Sequence, residues 1–444
     1  MTPSARLQAV IEIIEKMSEA NVPMDTLVGD YMRVRRYIGA KDRAAIVDQT
    51  YRIARAWLRL DWWLQRLSAT DTARNRVLIA MALLDKKPAP HIRDLCTGER
   101  HAPEPLEDSE ATMLQAVQGE ELDHADMPES VRVECPPHHV EALQVLFGPA
   151  FAAEMQAMQK TATLDLRVNT RMVNREKAQA SLTQDSVETA PTPYAPNGLR
   201  VQAKVHLSQT KAFTKAWVDI QDEGSQMIAA LCGARPGMQV LDFCAGAGGK
   251  TLALANDMQV KGRVVAMDTD AGRLGKARVR LRRAFVTDII ELRPLSEEQH
   301  RKWFKRQKGT FDVVLLDVPC SGTGTWRRNP DMRWRSFGPG LDSLMQTQAE
   351  ILDKACVAVK PGGRLVYATC SLLRQENEDQ VDAFLARHPD FAVLPVSQAW
   401  PSGSAMPAGQ DPFMRFTPHR TGTDGFFAAV LQRREATPEE AAAE

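Results

Sequence analysis

Apolar residues recur every three or four positions through residues 4–85, with charged residues between them. The segments AVIEIIEKM and VDQTYRIARAWLRLDWWLQRL show this spacing, and few glycines interrupt it. A helix that packs one face on a core needs such an apolar stripe. The pattern therefore predicts an all-helical domain at the start of the chain.

A strongly acidic stretch follows at 101–130. It holds nine Asp or Glu, no Lys or Arg, and prolines at both ends. Like charges repel and prolines interrupt helices, so this composition favours a solvated or weakly ordered connector. We predict that residues 1–130 form a helical domain that includes this acidic connector.

The pattern is mixed between 145 and 220, where LDLRVNT is strand-like and REKAQASL is compatible with a short helix. We predict a small α+β segment over 131–220. From 225 onward, short apolar runs alternate with charged stretches such as AGRLGKARVRLRRA. The runs are MQVLDFC, GRVVAMD, FDVVLLD and GGRLVYATC. This alternation predicts a doubly wound α/β domain with a mostly parallel sheet over 221–435. Residues 436–444 are predicted to be a flexible tail.

The composition, 44% hydrophobic and 25% charged, is that of a globular protein. No apolar run approaches the roughly 18 residues that cross a bilayer, and the N-terminal stretch is charged throughout, unlike a signal peptide. We expect no membrane segment and a cytoplasmic location. The seven cysteines lack metal-ligand spacing, which fits a reducing compartment and predicts no metal site. The net charge is zero, so nucleic-acid binding needs a local basic patch.

The stretch FCAGAGGKT holds a glycine-rich turn that fits neither common nucleotide motif. A phosphate-binding P-loop requires glycine where Cys244 stands, and the dinucleotide fingerprint requires it at Thr251. A strand, a small-residue turn and a helix beginning near Lys250 remain, and the helix N-terminus favours an anionic group. Asp268 ends the next predicted strand, where a carboxylate can hold a ribose. S-adenosylmethionine has a carboxylate and a ribose; the alternative is a structural turn with a surface aspartate.

Two further strand ends carry a cysteine. LLDVPCSGTGTWRRNPD places Asp317 and Cys320 after one strand, and LVYATCS places Thr369 and Cys370 after another. Ligands bind outside the carboxyl ends of strands in open α/β sheets, so we expect both thiols at one site. Either cysteine alone is explained equally well as a small residue at a strand end. The two Cys-Ser pairs beside the glycine turn together favour chemistry.

These stretches resemble the motifs of a known family. LDFCAGAGGKT, LLDVPCSGTGTWRRNPD and KPGGRLVYATCSLLRQENE are similar to successive motifs of the RNA 5-methylcytosine methyltransferases, the RsmB/Nop2/Sun group. LDLRVNT, VDIQDEGSQMIA and HRTGTDGFFAAVL resemble the family's flanking segments, so the resemblance runs from Leu164 to Leu431. The stretch IGAKDRAAIVDQTYRIARAWLRLDWWL is similar to the NusB-like RNA-binding domain of the RsmB branch.

The resemblance implies a Rossmann-like methyltransferase domain that depends on S-adenosylmethionine, preceded by a NusB-like domain and a small α+β RNA-binding segment. It implies methylation of carbon 5 of a cytosine in RNA. In the family the Thr-Cys cysteine adds to carbon 6 of the ring, so Cys370 takes that role. Cys320, of the Pro-Cys motif, assists product release. Asp317 resembles the aspartate that contacts the cytosine edge and borders the cofactor.

For the cofactor, the resemblance implies that Asp268 contacts the ribose and that the glycine turn and Asp317 also contact the cofactor. The turn residues are Cys244, Ala245, Gly246, Ala247, Gly248, Gly249 and Lys250. The alternative for Lys250 is a solvated side chain at the helix N-terminus. Many members carry an acidic residue near the adenine after the third strand. Here TDIIELRPLSEE places Arg293 there, with Asp288 and Glu291 within the strand, so no residue is assigned to the adenine.

Basic stretches are predicted to hold RNA. Residues 271–309 contain twelve Lys or Arg against four Asp or Glu, and RVRRYIGAKDR forms a second cluster in the helical domain. TWRRNPDMRWR places Trp326 and Trp334 after Cys320, which suits the surroundings of a flipped base. The alternative is a packed loop with both tryptophans in the core.

The leading hypothesis is a methyltransferase that acts on small-subunit rRNA. The alternatives are a tRNA cytosine-5 methyltransferase of the same family and a non-catalytic RNA-binding ribosome assembly factor. A DNA cytosine methyltransferase would use a Pro-Cys nucleophile, and the presence of both cysteines disfavours it. We expect RNA as the partner, no obligate partner chain and a monomer.

Overall fold

The protein is described by a computed structural model of residues 1–203 and 205–435. The predicted tail at 436–444 lies outside the described residues. The chain divides into two compact units. The first comprises Met1–Thr161 together with Thr325–Gly338, and the second comprises Ala162–Gly324 and the chain from Pro339 onward.

The first unit is helical, as the apolar spacing predicts. Its first helix alone buries seven residues, among them Val10 and Ile14, against neighbouring helices of the unit. The helices are α1 Pro3–Glu19, α2 Met24–Val34, α3 Ala40–Arg55, α4 Trp57–Arg66, α5 Ala73–Leu83, α6 Ala89–Leu95, α7 Asp108–Ala116, α8 Glu129–Arg132, α9 Val140–Phe147 and α10 Phe151–Gln159.

The acidic stretch is not a loose connector, so this prediction is wrong. Its centre forms α7, which begins with a capping box between Glu107 and Glu110. Glu110 is buried and accepts hydrogen bonds from Arg74, while Met113 and Leu114 join the helical core. The apolar residues of this stretch pack on the core and stabilise a helix, although most of the charged residues around them are acidic. The helical unit also runs to residue 161, beyond the predicted boundary at 130.

The second unit begins with an antiparallel sheet in the order β2-β3-β1-β4. This α+β segment lies in one compact unit with the sheet that follows. Its strands are β1 Leu164–Val168, β2 Thr189–Pro191, β3 Gly198–Val201 and β4 Val218–Ile220. Its helices are α11 Arg175–Gln184, α12 Lys211–Thr214 and α13 Glu223–Leu231.

The larger sheet has the order β10-β12-β9-β8-β5-β6-β7, and β11 pairs with β12. Its strands are β5 Gln239–Asp242, β6 Arg263–Asp268, β7 Ile290–Pro294, β8 Phe311–Asp317, β9 Val359–Thr369, β10 Phe391–Leu394, β11 Met414–Phe416 and β12 Phe426–Arg433. The helices are α14 Gly249–Asp257, α15 Ala271–Arg283, α16 Glu298–Phe304, α17 Leu341–Cys356, α18 Glu378–Arg387, α19 Val396–Ala399 and α20 Pro418–Thr421.

The strands β5 to β9 of this sheet run parallel, as predicted, and β12 pairs antiparallel with β9. The central strand β8 is almost wholly buried, since apolar clusters cover both faces of the sheet. Chain order reverses at β5, which lies between β6 and β8. The carboxyl ends of β5, β8 and β9 are therefore neighbours at a topological switch point, where open α/β sheets bind ligands.

Among the described residues, no helix is long and apolar enough to span a bilayer. In the same part of the chain, no three His, Cys, Asp or Glu side chains are grouped in a way that could hold a metal ion.

Candidate functional site

The glycine-rich turn lies between β5 and α14. The predicted contact residues 244–250 all fall in this turn and the first residues of the helix. Gly246 and Gly248 have φ angles of +54° and +76°, which favour glycine. A Cβ atom on Gly248 would lie 2.9 Å from the Cβ of Ala277 in α15. Glycine therefore lets the turn pack against α15 and keeps its backbone open to a ligand.

Asp268, at the end of β6, ties the glycine turn to the next strand. Its Oδ2 accepts a hydrogen bond from the backbone N–H of Gly246 at 2.7 Å, and its Oδ1 accepts from that of Asp270 at 2.8 Å. Each carboxylate oxygen can accept a second bond, so the side chain can still receive a ribose hydroxyl.

Asp242, at the end of β5, is a site residue that the sequence reasoning missed. Its Oδ2 accepts from Thr251 at 2.6 Å, and its Oδ1 has no hydrogen-bond partner among the described residues although the side chain is 1% exposed. Burial raises its pKa to about 7. A buried carboxylate oxygen without a donor fits the ammonium group of the amino-acid end of S-adenosylmethionine. An acid directly before the glycine turn was the signal available in the sequence.

Lys250 does not extend into solvent, so the alternative of a solvated side chain is wrong. Its Nζ lies 2.7 Å from Oδ2 of Asp317, and the Lys250 side chain is only 10% exposed. Burial acts to lower the pKa of Lys250, but the attraction of Asp317, Asp242 and Cys370 outweighs it and raises that pKa. A lasting positive charge therefore lies beside Asp317 and Cys370.

The two cysteines meet, as their positions at strand ends predict. The Sγ atoms of Cys320 and Cys370 are 3.3 Å apart. The hydrogen bond to Cys370, followed by burial, raises the pKa of the Cys320 thiol well above its ordinary value, and the charge of Glu376 acts in the same direction. Cys320 therefore keeps its proton, and its S–H can donate to the sulfur of Cys370.

Cys244 lies in the turn but differs from the other two thiols. It packs against the apolar cluster on one face of the sheet. Burial, with Asp242 and Asp317 adding to it, raises its pKa well above the ordinary value, so it remains a neutral thiol. Only its backbone suits a cofactor contact.

The region after β7 has its own charge balance. Glu291 lies in β7 and binds Arg263 and Arg293, whose guanidinium group also lies 4.0 Å from the ring centroid of Trp303. The prediction that Asp288 lies within the strand is wrong, because Asp288 lies in the 3₁₀ turn before β7. The end of β7 at Pro294 carries no carboxylate, and no residue is assigned to the adenine.

The tryptophans after Cys320 are packed, so the flipped-base interpretation of this loop is wrong. Trp326 is fully buried, and Trp334 stacks on Trp57 with ring centroids 3.8 Å apart and an interplanar angle of 11°. Both belong to the helical first unit. The alternative of a packed loop is the one that the structure shows.

Comparison with known proteins finds methyltransferases that match large parts of this chain. The family described as 16S rRNA methyltransferase RsmB/F matches residues 229–432, and a ferredoxin-like domain of RsmF/B-like methyltransferases matches residues 135–208. The ribosomal RNA small subunit methyltransferase B of Vibrio cholerae is 34% identical over 63% of this chain. That of Pectobacterium atrosepticum is 28% identical over 89% of this chain and 92% of its own length.

Coverage of the relatives varies. The match spans 61% of the length of the Vibrio cholerae protein and 66% of that of a Synechocystis relative named probable ribosomal RNA small subunit methyltransferase B, which is 33% identical over 66% of this chain. Among solved structures, PH0851 has a TM-score of 0.76 at 25% identity and covers 98% of this chain and 99% of its own. NSun6 from Pyrococcus horikoshii has a TM-score of 0.59 at 21% identity, over 68% of this chain and 99% of its own.

The parallel sheet, the glycine turn and the acids at the ends of β5 and β6 define a methyltransferase fold whose cofactor is S-adenosylmethionine. Within this class of methyltransferases, the paired cysteines and the matches to known proteins indicate one family. The chain belongs to the RsmB/Nop2/Sun family, as its motifs indicate. The NusB-like character of the helical unit stays a prediction.

Proposed function

We propose that the protein transfers a methyl group from S-adenosylmethionine to carbon 5 of a cytosine in small-subunit rRNA, through a covalent adduct with Cys370. The observation that carries the proposal is the 3.3 Å approach of the thiols of Cys320 and Cys370 beside the Lys250–Asp317 ion pair. The names of the relatives supply the RNA class.

Carbon 5 of cytosine is a poor nucleophile until the ring is activated. The thiolate of Cys370 attacks carbon 6, and the electrons of the 5,6 double bond then become available at carbon 5. The positive charge of Lys250 interacts with Cys370 and attracts the negative charge that the sulfur carries when it attacks. When bound, S-adenosylmethionine supplies the electrophilic methyl group. Asp242, Asp268 and the glycine turn would hold it.

Asp317 is about one third exposed, so its carboxylate can reach a base. We assign it to the ring edge of the cytosine, where sharing a proton with the ring nitrogen stabilises the charge of the adduct. Lys250 holds this carboxylate in place through the 2.7 Å contact.

Product release requires the carbon 5 proton to pass to a water molecule as the bond between carbon 6 and sulfur breaks, and the electrons of the carbon–hydrogen bond re-form the 5,6 double bond. The bonding electrons return to the sulfur of Cys370. Cys320 is the protonated neighbour at 3.3 Å, so it donates its S–H to the departing sulfur as general acid.

A cluster of lysines supports RNA as the partner. The ammonium groups of Lys177, Lys211 and Lys215 lie 5.6–5.9 Å from the ring centroid of the half-buried Trp217. Among the described residues, none of these ammonium groups forms an ion pair with a carboxylate. Three like charges around one ring repel each other, and a phosphate backbone relieves this. By contrast, part of the predicted patch in α15 is neutralised, because Arg280 and Arg283 bind Asp219.

Transfer of labelled methyl groups tests the proposal directly. Purified protein is incubated with methyl-labelled S-adenosylmethionine and either unmodified small-subunit rRNA or tRNA, and digested nucleosides are analysed by mass spectrometry. We expect 5-methylcytidine in the rRNA. Label in tRNA alone would favour the tRNA enzyme. RNA binding without transfer to either RNA would favour the assembly factor.

Replacing Asp242 with asparagine is expected to weaken S-adenosylmethionine binding about 10- to 100-fold, because an ammonium–carboxylate bond is lost. Calorimetry measures this. From pH 5.5 to 7 the wild type should bind more tightly as Asp242, with a pKa of about 7, loses its proton, while the variant should not respond.

The same variant is expected to be more stable at pH 8. The native pKa of Asp242 lies above its unfolded value of 3.8, so the wild type loses stability as pH rises from about 4 through 7. At about 1.4 kcal/mol per pKa unit, the variant gains up to about 4 kcal/mol. Asp257→Asn, at the other end of α14, is the control for the measurement of cofactor binding. Equal loss of cofactor affinity in both variants would contradict the assignment.

A further inference from the structure

Glu376 is a buried carboxylate that fixes the turn carrying Cys320. Its Oε1 accepts hydrogen bonds from the backbone N–H of Ser321 at 2.8 Å and from Nε2 of Gln348 at 3.0 Å. Its Oε2 accepts from the hydroxyl of Ser321 at 2.5 Å. Gln348 also donates to the carbonyl of Pro319 at 3.0 Å. The residues on both sides of Cys320 are thereby held, Ser321 by Glu376 itself and Pro319 through Gln348.

Asn377, the next residue, fixes the turn carrying Cys370. Its Oδ1 accepts from the hydroxyl of Thr369 at 2.5 Å, and its Nδ2 donates to the carbonyl of Ser371 at 3.0 Å. Thr369 and Ser371 flank Cys370 in the chain. Asn377 is fully buried, as is Glu376.

Hydroxyl groups join the two turns to each other. Ser321 and Ser371 are hydrogen-bonded at 3.2 Å, and so are Thr323 and Ser371. The backbone N–H of Gly324 donates to the carbonyl of Cys370 at 2.9 Å. A network of this kind has few alternative arrangements, because breaking one of these bonds leaves a buried polar group without a partner.

We propose that Glu376 and Asn377 are positioning residues that set the approach of the two thiols, Glu376 by holding Cys320 and Asn377 by holding Cys370. This inference rests on the proposed function and deepens it. Neither residue touches a reacting atom. Because each acts on a different turn, each governs a different half of the reaction: Asn377 governs formation of the adduct, and Glu376 its breakdown.

The electrostatics of the site fit this division. Glu376 places a negative charge near Cys320 and contributes to keeping that thiol protonated. Lys250 places a positive charge near Cys370. The charges around the pair are therefore opposite, so that one sulfur is suited to attack and the other to donate a proton.

The test uses two near-isosteric variants of the full chain, Glu376→Gln and Asn377→Asp. Glutamine in place of Glu376 brings an NH₂ group against a donor, and aspartate in place of Asn377 brings an oxygen against the carbonyl of Ser371. Asp379→Asn, an exposed carboxylate-to-amide change in α18, is the matched control. Thermal unfolding is measured for each.

The first readout measures the thiol geometry without RNA. Diamide oxidises two thiols that can approach each other to a disulfide and is itself reduced to the hydrazine. Mass spectrometry then gives the rate of Cys320–Cys370 disulfide formation. We expect that rate to fall at least about 10-fold in Glu376→Gln and in Asn377→Asp, and to stay at the wild-type value in Asp379→Asn.

The second readout compares two amounts, the protein–RNA adduct that accumulates and the methylated RNA that is released. Glu376→Gln should lower kcat about 100-fold, the effect of a misplaced catalytic group, and accumulate a protein–RNA adduct. Asn377→Asp should lower the product without accumulating adduct. The proposal would be overturned if adduct and methylated RNA fell together in both variants, in proportion to the lost thermal stability. It would also be overturned if both variants formed the disulfide at the wild-type rate. If the wild type transfers no methyl group while the disulfide rates change as expected, the proposed function fails and the positioning role stands.

Discussion

Cys370→Ala is expected to lower methyl transfer to RNA by at least about 10³-fold, because no other group can form the bond to carbon 6 that activates the ring. The thiol of Cys320 does not replace it. Its hydrogen bond to Cys370, burial and the neighbouring charge of Glu376 hold its pKa well above the ordinary value, so its thiolate is scarce. Transfer of labelled methyl groups under single-turnover conditions measures the loss.

Cofactor binding should not change in this variant, because the residues assigned to the cofactor lie at the ends of β5 and β6 and around Asp317. Calorimetry with S-adenosylmethionine checks this. Cys356→Ala is the matched control, since that cysteine is buried beside His388 and plays no part in the site. A residual rate within 10-fold of wild type, with the control unaffected, would remove Cys370 from its assigned role.

The central parallel strands β5, β6, β8 and β9 could be predicted from the sequence because they are short, mostly buried apolar runs. FDVVLLD and GGRLVYATC predict β8 and β9 with only small shifts at their ends. The meeting of Cys320 and Cys370 also follows from the pattern, since parallel neighbours bring their carboxyl ends together. The local sequence pattern is enough to predict the position of a side chain when that position depends only on where its strand ends.

Contacts between distant segments could not be predicted in the same way. The partner of Lys250 lies 67 residues away, and that of Glu376 lies 55 residues away. Sequence spacing describes each segment separately, so the lysine reads equally well as a solvated helix residue. The high density of acidic residues at 101–130 led to the wrong prediction of a loose connector. Apolar residues at helical spacing bury one face of α7 there despite the acids around it.

Cys320→Ala is expected to leave attack by Cys370 intact and to block release, so that an RNA–protein adduct accumulates. The nucleophile and Lys250 remain in place. The departing sulfur, however, loses the S–H donor that lies 3.3 Å away. Steady-state turnover should fall about 10²- to 10⁴-fold, the contribution of a positioned acid or base. A band that survives a denaturing gel and disappears after ribonuclease treatment measures the adduct, and sequencing its RNA identifies the substrate.

The double variant Cys320→Ala/Cys370→Ala is the control and should form no adduct. An adduct in Cys370→Ala and none in Cys320→Ala would reverse the two roles. That result would also require Cys320 to ionise next to the charge of Glu376, which the bonds to Ser321 and Gln348 hold in place. The geometry favours the assigned order, because the positive charge of Lys250 lies near Cys370 and the negative charge of Glu376 lies near Cys320.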